Sequence, residues 1–79
     1  MNIEIDKSKE YSFAEAWTTL VNNINTIITS KATGLNYLIK SSNRKTVLKY
    51  YNPVIKGWQN CTYVLPDEIF DKWYVTKKI

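Results

Sequence analysis

Histidine is absent from this chain, cysteine occurs once, and glycine and proline occur twice each. Each shortage excludes a chemistry. Without histidine there is no Ser–His or Cys–His nucleophile pair and no histidine metal site. Cys61 alone supplies neither an intrachain disulfide nor a thiolate zinc cluster, and it fits a reducing compartment. Gly34 and Gly57 stand far apart, so there is no glycine-rich phosphate loop. No apolar run is long enough to span a bilayer. The opening Met1-Asn2-Ile3-Glu4-Ile5-Asp6 is acidic and alternating, unlike the basic and then apolar opening of a signal peptide. These features predict a cytoplasmic protein that contacts no membrane, needs no metal or cofactor, and is not an enzyme.

The most informative shortage is of one sign of charge. From Ala16 to Pro66 there is no Asp or Glu, while Lys31, Lys40, Arg44, Lys45, Lys49 and Lys56 all fall within it. The carboxylates lie outside that stretch: Glu4, Asp6, Glu10 and Glu15 before it, and Asp67, Glu68 and Asp71 after it. A surface that merely keeps a protein soluble mixes both signs. The acid-free stretch also carries Trp17, Tyr37, Tyr50, Tyr51, Trp58 and Tyr63. Cations of one sign among aromatic rings suit an anionic, ring-containing partner such as a nucleotide or nucleic acid.

At 79 residues the chain makes one domain. A core of that size stabilises only marginally, and the aromatic load is heavy for it, so a homodimer or larger assembly is expected.

Ser12-Phe13-Ala14-Glu15 has the form of a capping box, in which hydroxyl and carboxylate each satisfy the other residue's amide. Apolar residues follow at Phe13, Ala16, Trp17, Leu20, Val21 and Ile24, the stripe of an amphipathic helix that places Phe13 and Trp17 in the core. Asn22-Asn23 is its stop. Thr26–Thr29, Leu35–Lys40, Thr46–Tyr51, Thr62–Leu65 and Trp73–Val75 read as strands, rich in β-branched and aromatic residues. Residues 2–9 read as a short edge strand. Pro66-Asp67-Glu68-Ile69-Phe70 reads as one helical turn with acids at its positive end. Those acids, with Asp71, read as a solvated face, the alternative being a divalent-cation site. The predicted class is α+β: one N-terminal helix packed on a small antiparallel sheet of four to five strands.

Within this frame the candidate ligand-binding residues are Lys31, Tyr37, Arg44, Lys45, Lys49, Tyr51 and Trp58. Arg44 and Lys45 lie at a turn, Lys31 flanks another, and Lys49 shares a strand face with Val47 and Tyr51. Each cation reads equally as part of an ordinary solvated face. Tyr50 and Tyr51, being adjacent in a strand, face opposite sides, which leaves one ring for the core and one for a partner. Trp58 follows Lys56-Gly57 at a loop-to-strand junction, where it either stacks on a base or lies over the sheet as a lid. No residue set here reads as catalytic.

Tyr11-Ser12-Phe13-Ala14-Glu15-Ala16, with Leu20 after it, resembles the opening Phe-x-x-Ala helix of phage Thoeris anti-defence proteins of the second type. Trp58, the turn Pro66–Phe70 and Trp73-Tyr74-Val75 are similar to that family's C-terminal elements. The resemblance implies a small oligomeric α+β protein that sequesters a nucleotide-derived immune signal, cyclic ADP-ribose-like or a cyclic oligonucleotide, without degrading it. In place of the family's Arg and Trp after the first strand it offers Lys31 and Tyr37, and Lys72 stands where the family has Asp. The alternative is a small basic phage protein that binds nucleic acid or inhibits a host nucleic-acid enzyme, as anti-CRISPR proteins do.

Overall fold

The computed structural model describes residues 4–23, 25–42 and 45–77. Arg44 lies outside them. The elements run α1 (Phe13–Asn22), β1 (Thr26–Ser30), β2 (Asn36–Ser42), β3 (Lys45–Asn52), β4 (Gly57–Asn60), α2 (Pro66–Ile69) and β5 (Trp73–Lys77). The strands form one sheet in the order β4-β3-β2-β1-β5, and every pairing is antiparallel. The predicted α+β class and the N-terminal helix on an antiparallel sheet are therefore present.

The capping box closes as its residues dictate. The Glu15 N–H donates to the Ser12 hydroxyl at 3.2 Å and the Ser12 N–H to the Glu15 carboxylate at 3.1 Å. The Ser12 backbone N–H, followed by its hydroxyl, holds the Glu15 carboxyl below its ordinary range. Asn23 is extended and ends the helix, its N–H donating to the Thr19 carbonyl. Helix α1 buries Ala16 and Leu20 completely. They meet Ile28, Tyr37, Ile39, Trp73 and Val75, which stand on one face of the sheet. Alternation along the strands thus makes a covered face, which carries these residues, and an outer face, which carries Ile27, Thr29, Leu38, Lys49, Tyr51 and Trp58. Phe13 and Trp17 are half-buried rather than central; their rings stack 5.7 Å apart at the rim of the core, and Phe13 lies 5.3 Å from Trp73.

Two expected strands differ. Asn2 and Ile3 lie outside the described residues, and residues 4–10 form no strand. Asp6 instead folds the chain back, its carboxylate accepting from the Ser8 N–H at 3.0 Å and the Ser8 hydroxyl at 2.6 Å. A single antiparallel bridge, Tyr11 to Trp73, follows. The other difference is the fourth strand, which is Gly57–Asn60 and not Thr62–Leu65. The β3–β4 turn closes within four residues, 53–56, so the ladder resumes at Gly57 with Trp58 opposite Tyr51. Lys56 takes a left-handed φ of 53° to close that turn, at a cost of roughly 1–2 kcal/mol. The apolar residues at 61–65 serve instead the crossover that carries the chain from the β4 edge, over the covered face, to β5.

Candidate functional site

The sheet offers two places for a partner, one on each face. Antiparallel register puts Lys40, Lys45, Lys49, Tyr51 and Trp58 together on the outer face of β2–β3–β4. Lys49 lies between Leu38 and Asn60, and Tyr51 is directly opposite Trp58. The two rings pack edge-on, with centroids 5.4 Å apart and planes at 72°. That edge-on contact holds the two rings against each other, and both are half-buried. Lys40 and Lys45 are exposed and Lys49 is half-buried. None of the five strands contains an Asp or Glu, so no strand neighbour neutralises these lysines.

The remaining candidates part company. Lys31 is removed from the group: its ammonium is 2.7 Å from the Glu10 carboxylate, an exposed ion pair that raises the lysine pKa. The stretch that is acid-free in sequence is thus not acid-free in space at this end. Further along the outer face, the N-terminal segment docks on β5. The Asp6 N–H donates to the Thr76 hydroxyl at 2.9 Å, and the Lys7 ammonium sits 6.0 Å from the centre of the Tyr74 ring. Tyr37 belongs to the covered face and is 3 % exposed. Its ring is not available for stacking on an outside ligand.

Tyr37 leads to the arrangement that sequence reasoning missed. Glu68, in α2, is 1 % exposed, whereas Asp67 and Asp71 are solvated as expected. The Tyr37 hydroxyl donates to the two Glu68 carboxylate oxygens at 2.8 and 3.0 Å. The Thr33 hydroxyl donates to one of them at 2.9 Å, and the Leu65 N–H to the other at 3.3 Å. The Glu68 carbonyl accepts from the Trp73 indole N–H at 2.7 Å. One residue thereby ties the crossover to the β1–β2 turn, to β2 and to β5. Burial, reinforced by the Glu68 carboxylate, pushes the Tyr37 phenol well above its ordinary value. The available signal was the position of Glu68 three residues after Leu65, where a carboxylate reaches back to a helix-starting N–H. Nothing in the local sequence says that this carboxylate is buried.

Beside this network lies a cleft of about 340 Å³ between β2–β3 and the crossover, whose lining includes Leu35, Tyr37, Tyr50, Cys61, Leu65 and Glu68. The Tyr50 hydroxyl donates to the Gln59 side-chain carbonyl at 2.9 Å, and the Cys61 thiol to the Tyr63 carbonyl at 2.8 Å. Among the described residues no cation lines the cleft, and the one charged group there is an anion. Phosphate is therefore disfavoured there and favoured on the outer face. Among the described residues no group of three or more His, Cys, Asp or Glu is arranged to hold a metal ion. No described helix is long and apolar enough to cross a membrane.

No protein-family model, curated protein or solved structure matches this chain.

Proposed function

We propose that this protein binds and sequesters an anionic, nucleotide-derived signalling molecule on the outer face of β2–β3–β4. The observation that supports the reading most is the union, on one face of strands that contain no Asp or Glu, of Lys40, Lys45 and Lys49 with the edge-packed Tyr51 and Trp58. The lysines answer phosphate, and Trp58 or Tyr51 answers a base. Histidine and catalytic metal clusters play no part in this reading, which has the ligand bound and released intact. The resemblance to Thoeris anti-defence proteins makes a cyclic ADP-ribose-like or cyclic-oligonucleotide immune signal of the host cell the ligand of choice, met in the cytoplasm. Nucleic acid is the second reading. It is favoured by the exposed Lys40 and Lys45 on the same face as the half-buried Tyr51 and Trp58, since a sheet surface with stacking rings accommodates a strand of several bases.

Calorimetric titration with cyclic ADP-ribose isomers, cyclic dinucleotides and a short oligonucleotide tests both. Sequestration predicts a saturable heat with a small molecule and recovery of that molecule unaltered after heat denaturation. Tighter binding of the oligonucleotide, falling steeply with salt, replaces the first reading by the second. No heat from any of them, with folded protein, removes both.

A further inference from the structure

We infer that the free edge of β4 is a self-association surface, on which a second copy of the chain pairs its own β4 antiparallel to the first. The inference concerns the strand edge and does not depend on the ligand reading above.

The two edges of the sheet are treated differently. At the β5 edge the chain supplies its own cover: the Tyr11 and Trp73 backbones exchange two hydrogen bonds, each 2.8 Å, and Asp6 reaches Thr76. At the β4 edge, among the described residues, nothing pairs. The direction of its backbone groups follows from one hydrogen bond. The Cys61 N–H donates to the Leu48 carbonyl at 2.8 Å, continuing the register that sets Asn60 opposite Lys49. Bonded and non-bonded pairs alternate along an antiparallel ladder. Gly57, Gln59 and Cys61 therefore turn their N–H and C=O groups toward β3, and Trp58 and Asn60 turn theirs outward.

Strand edges left open in soluble proteins usually carry a lysine, a proline or a bulge that discourages pairing. Gly57-Trp58-Gln59-Asn60 carries none of these and no charge. The outward groups are also self-complementary. A two-fold axis through Gln59, perpendicular to the sheet, sets Trp58 of each copy opposite Asn60 of the other, and all four outward donors and acceptors on each chain find partners. Other residues support the same axis. The turn before β4 exposes Val54 by 87 % and Ile55 by 57 %, and the crossover after it exposes Tyr63 by 69 %. Antiparallel pairing brings the turn of one copy alongside the crossover of the other, twice over. Four residues of strand make a short interface, and these apolar flanks supply the burial that the backbone bonds alone lack. A second copy is the occupant because the outward donors and acceptors of Trp58 and Asn60 are complemented by those of an identical strand. The axis also joins the two outer faces into one surface, so each copy's Trp58 neighbours the other's Asn60.

Light scattering tests the pairing first, and it should give a particle of two 9.3-kDa chains at high micromolar concentration. Asn60→Pro removes an outward N–H while leaving the bonds to β3 and should yield a monomer with an unchanged circular dichroism spectrum. Single-cysteine variants in a Cys61→Ser background then read the register. Gln59 faces its own copy as a non-bonded pair with Cα atoms about 4.5 Å apart, so Gln59→Cys should cross-link under mild oxidation, within the span of a disulfide. Gly57→Cys should not, although the nearest atom to a Cβ there is 3.9 Å away and the side chain fits. A monomeric wild-type protein overturns the inference. So does a dimer that cross-links through position 57 and not 59, or one that survives in a folded Asn60→Pro variant. If Asn60→Pro does not fold, the cross-linking pattern decides alone.

Discussion

The two faces of this sheet meet charge in opposite ways. On the covered face, among the described residues, the one buried charged group is the Glu68 carboxylate, held by the hydroxyls of Tyr37 and Thr33 and by the Leu65 N–H. On the outer face Lys40, Lys45 and Lys49 sit among Tyr51 and Trp58 with no carboxylate in any strand. The first arrangement is closed, since its donors and acceptors are consumed in fastening the crossover to the sheet. In the second, Lys40 and Lys45 are exposed and Lys49 is half-buried, although Ile27, Thr29 and Leu38 on the same face are buried. A buried charge satisfied by neutral donors serves the fold, and exposed charges of one sign add little to it. Substitutions on the covered face should therefore register as stability, and those on the outer face as binding.

The largest expected effect is on the covered face. Trp73→Ala removes a ring that is completely buried and should cost about 3–5 kcal/mol in denaturant unfolding. Glu68→Ala leaves the Tyr37 hydroxyl, 3 % exposed, without its acceptor, at roughly 1–3 kcal/mol for that group alone. A Glu68→Ala midpoint equal to that of wild type would mean that the network does not hold the crossover.

Alkali probes the same network. The Tyr37 phenol is raised in the folded state, chiefly by burial and then by the Glu68 carboxylate, from an ordinary value of 10.0. Its contribution to stability is fully present below that pH. It declines as the pH rises further, because the unfolded chain gives up the proton first. Ultraviolet titration should show one tyrosine ionising only on alkaline unfolding, and Tyr37→Phe should abolish that last step.

How much of this was legible in the sequence follows the same division. The helix and its cap were legible, because Ser12 and Glu15 act on neighbouring amides and Ala16 and Leu20 repeat with the helical period, but Phe13 and Trp17, read as core, lie half-buried at its rim. The opposed faces of Tyr50 and Tyr51 were legible from strand alternation. Glu68 was not, because its burial depends on Tyr37 and Thr33, both more than thirty residues away along the chain. The Lys31–Glu10 pair was hidden for the same reason, and with it the loss of Lys31 from the basic group. β4 was displaced because Trp58, read at a loop-to-strand junction as a stacking ring or a lid, shows its strand position only through its register with Tyr51. Of the candidate site, Lys45, Lys49, Tyr51 and Trp58 come together on one face, Tyr37 falls on the other, and Arg44 lies outside the described residues.

Smaller effects are expected at the helix cap and on the outer face. Ser12→Ala should cost about 1 kcal/mol through loss of the cap, and Trp17→Ala less than Trp73→Ala, since Trp17 is half-buried. Lys49→Ala should shift unfolding by no more than about 0.5 kcal/mol. If Lys49→Ala destabilises as much as Glu68→Ala, the two faces do not differ as described.

The most direct measurement is calorimetric titration of wild type, Lys49→Ala and Trp58→Ala with a cyclic ADP-ribose isomer and a cyclic dinucleotide, each variant first shown to be folded. Sequestration on the outer face predicts saturable binding to wild type, weaker binding to Lys49→Ala, and a loss of about 1–3 kcal/mol for Trp58→Ala where the ring stacks on a base. Binding that both variants retain at wild-type strength would contradict the account and place the ligand elsewhere on the molecule.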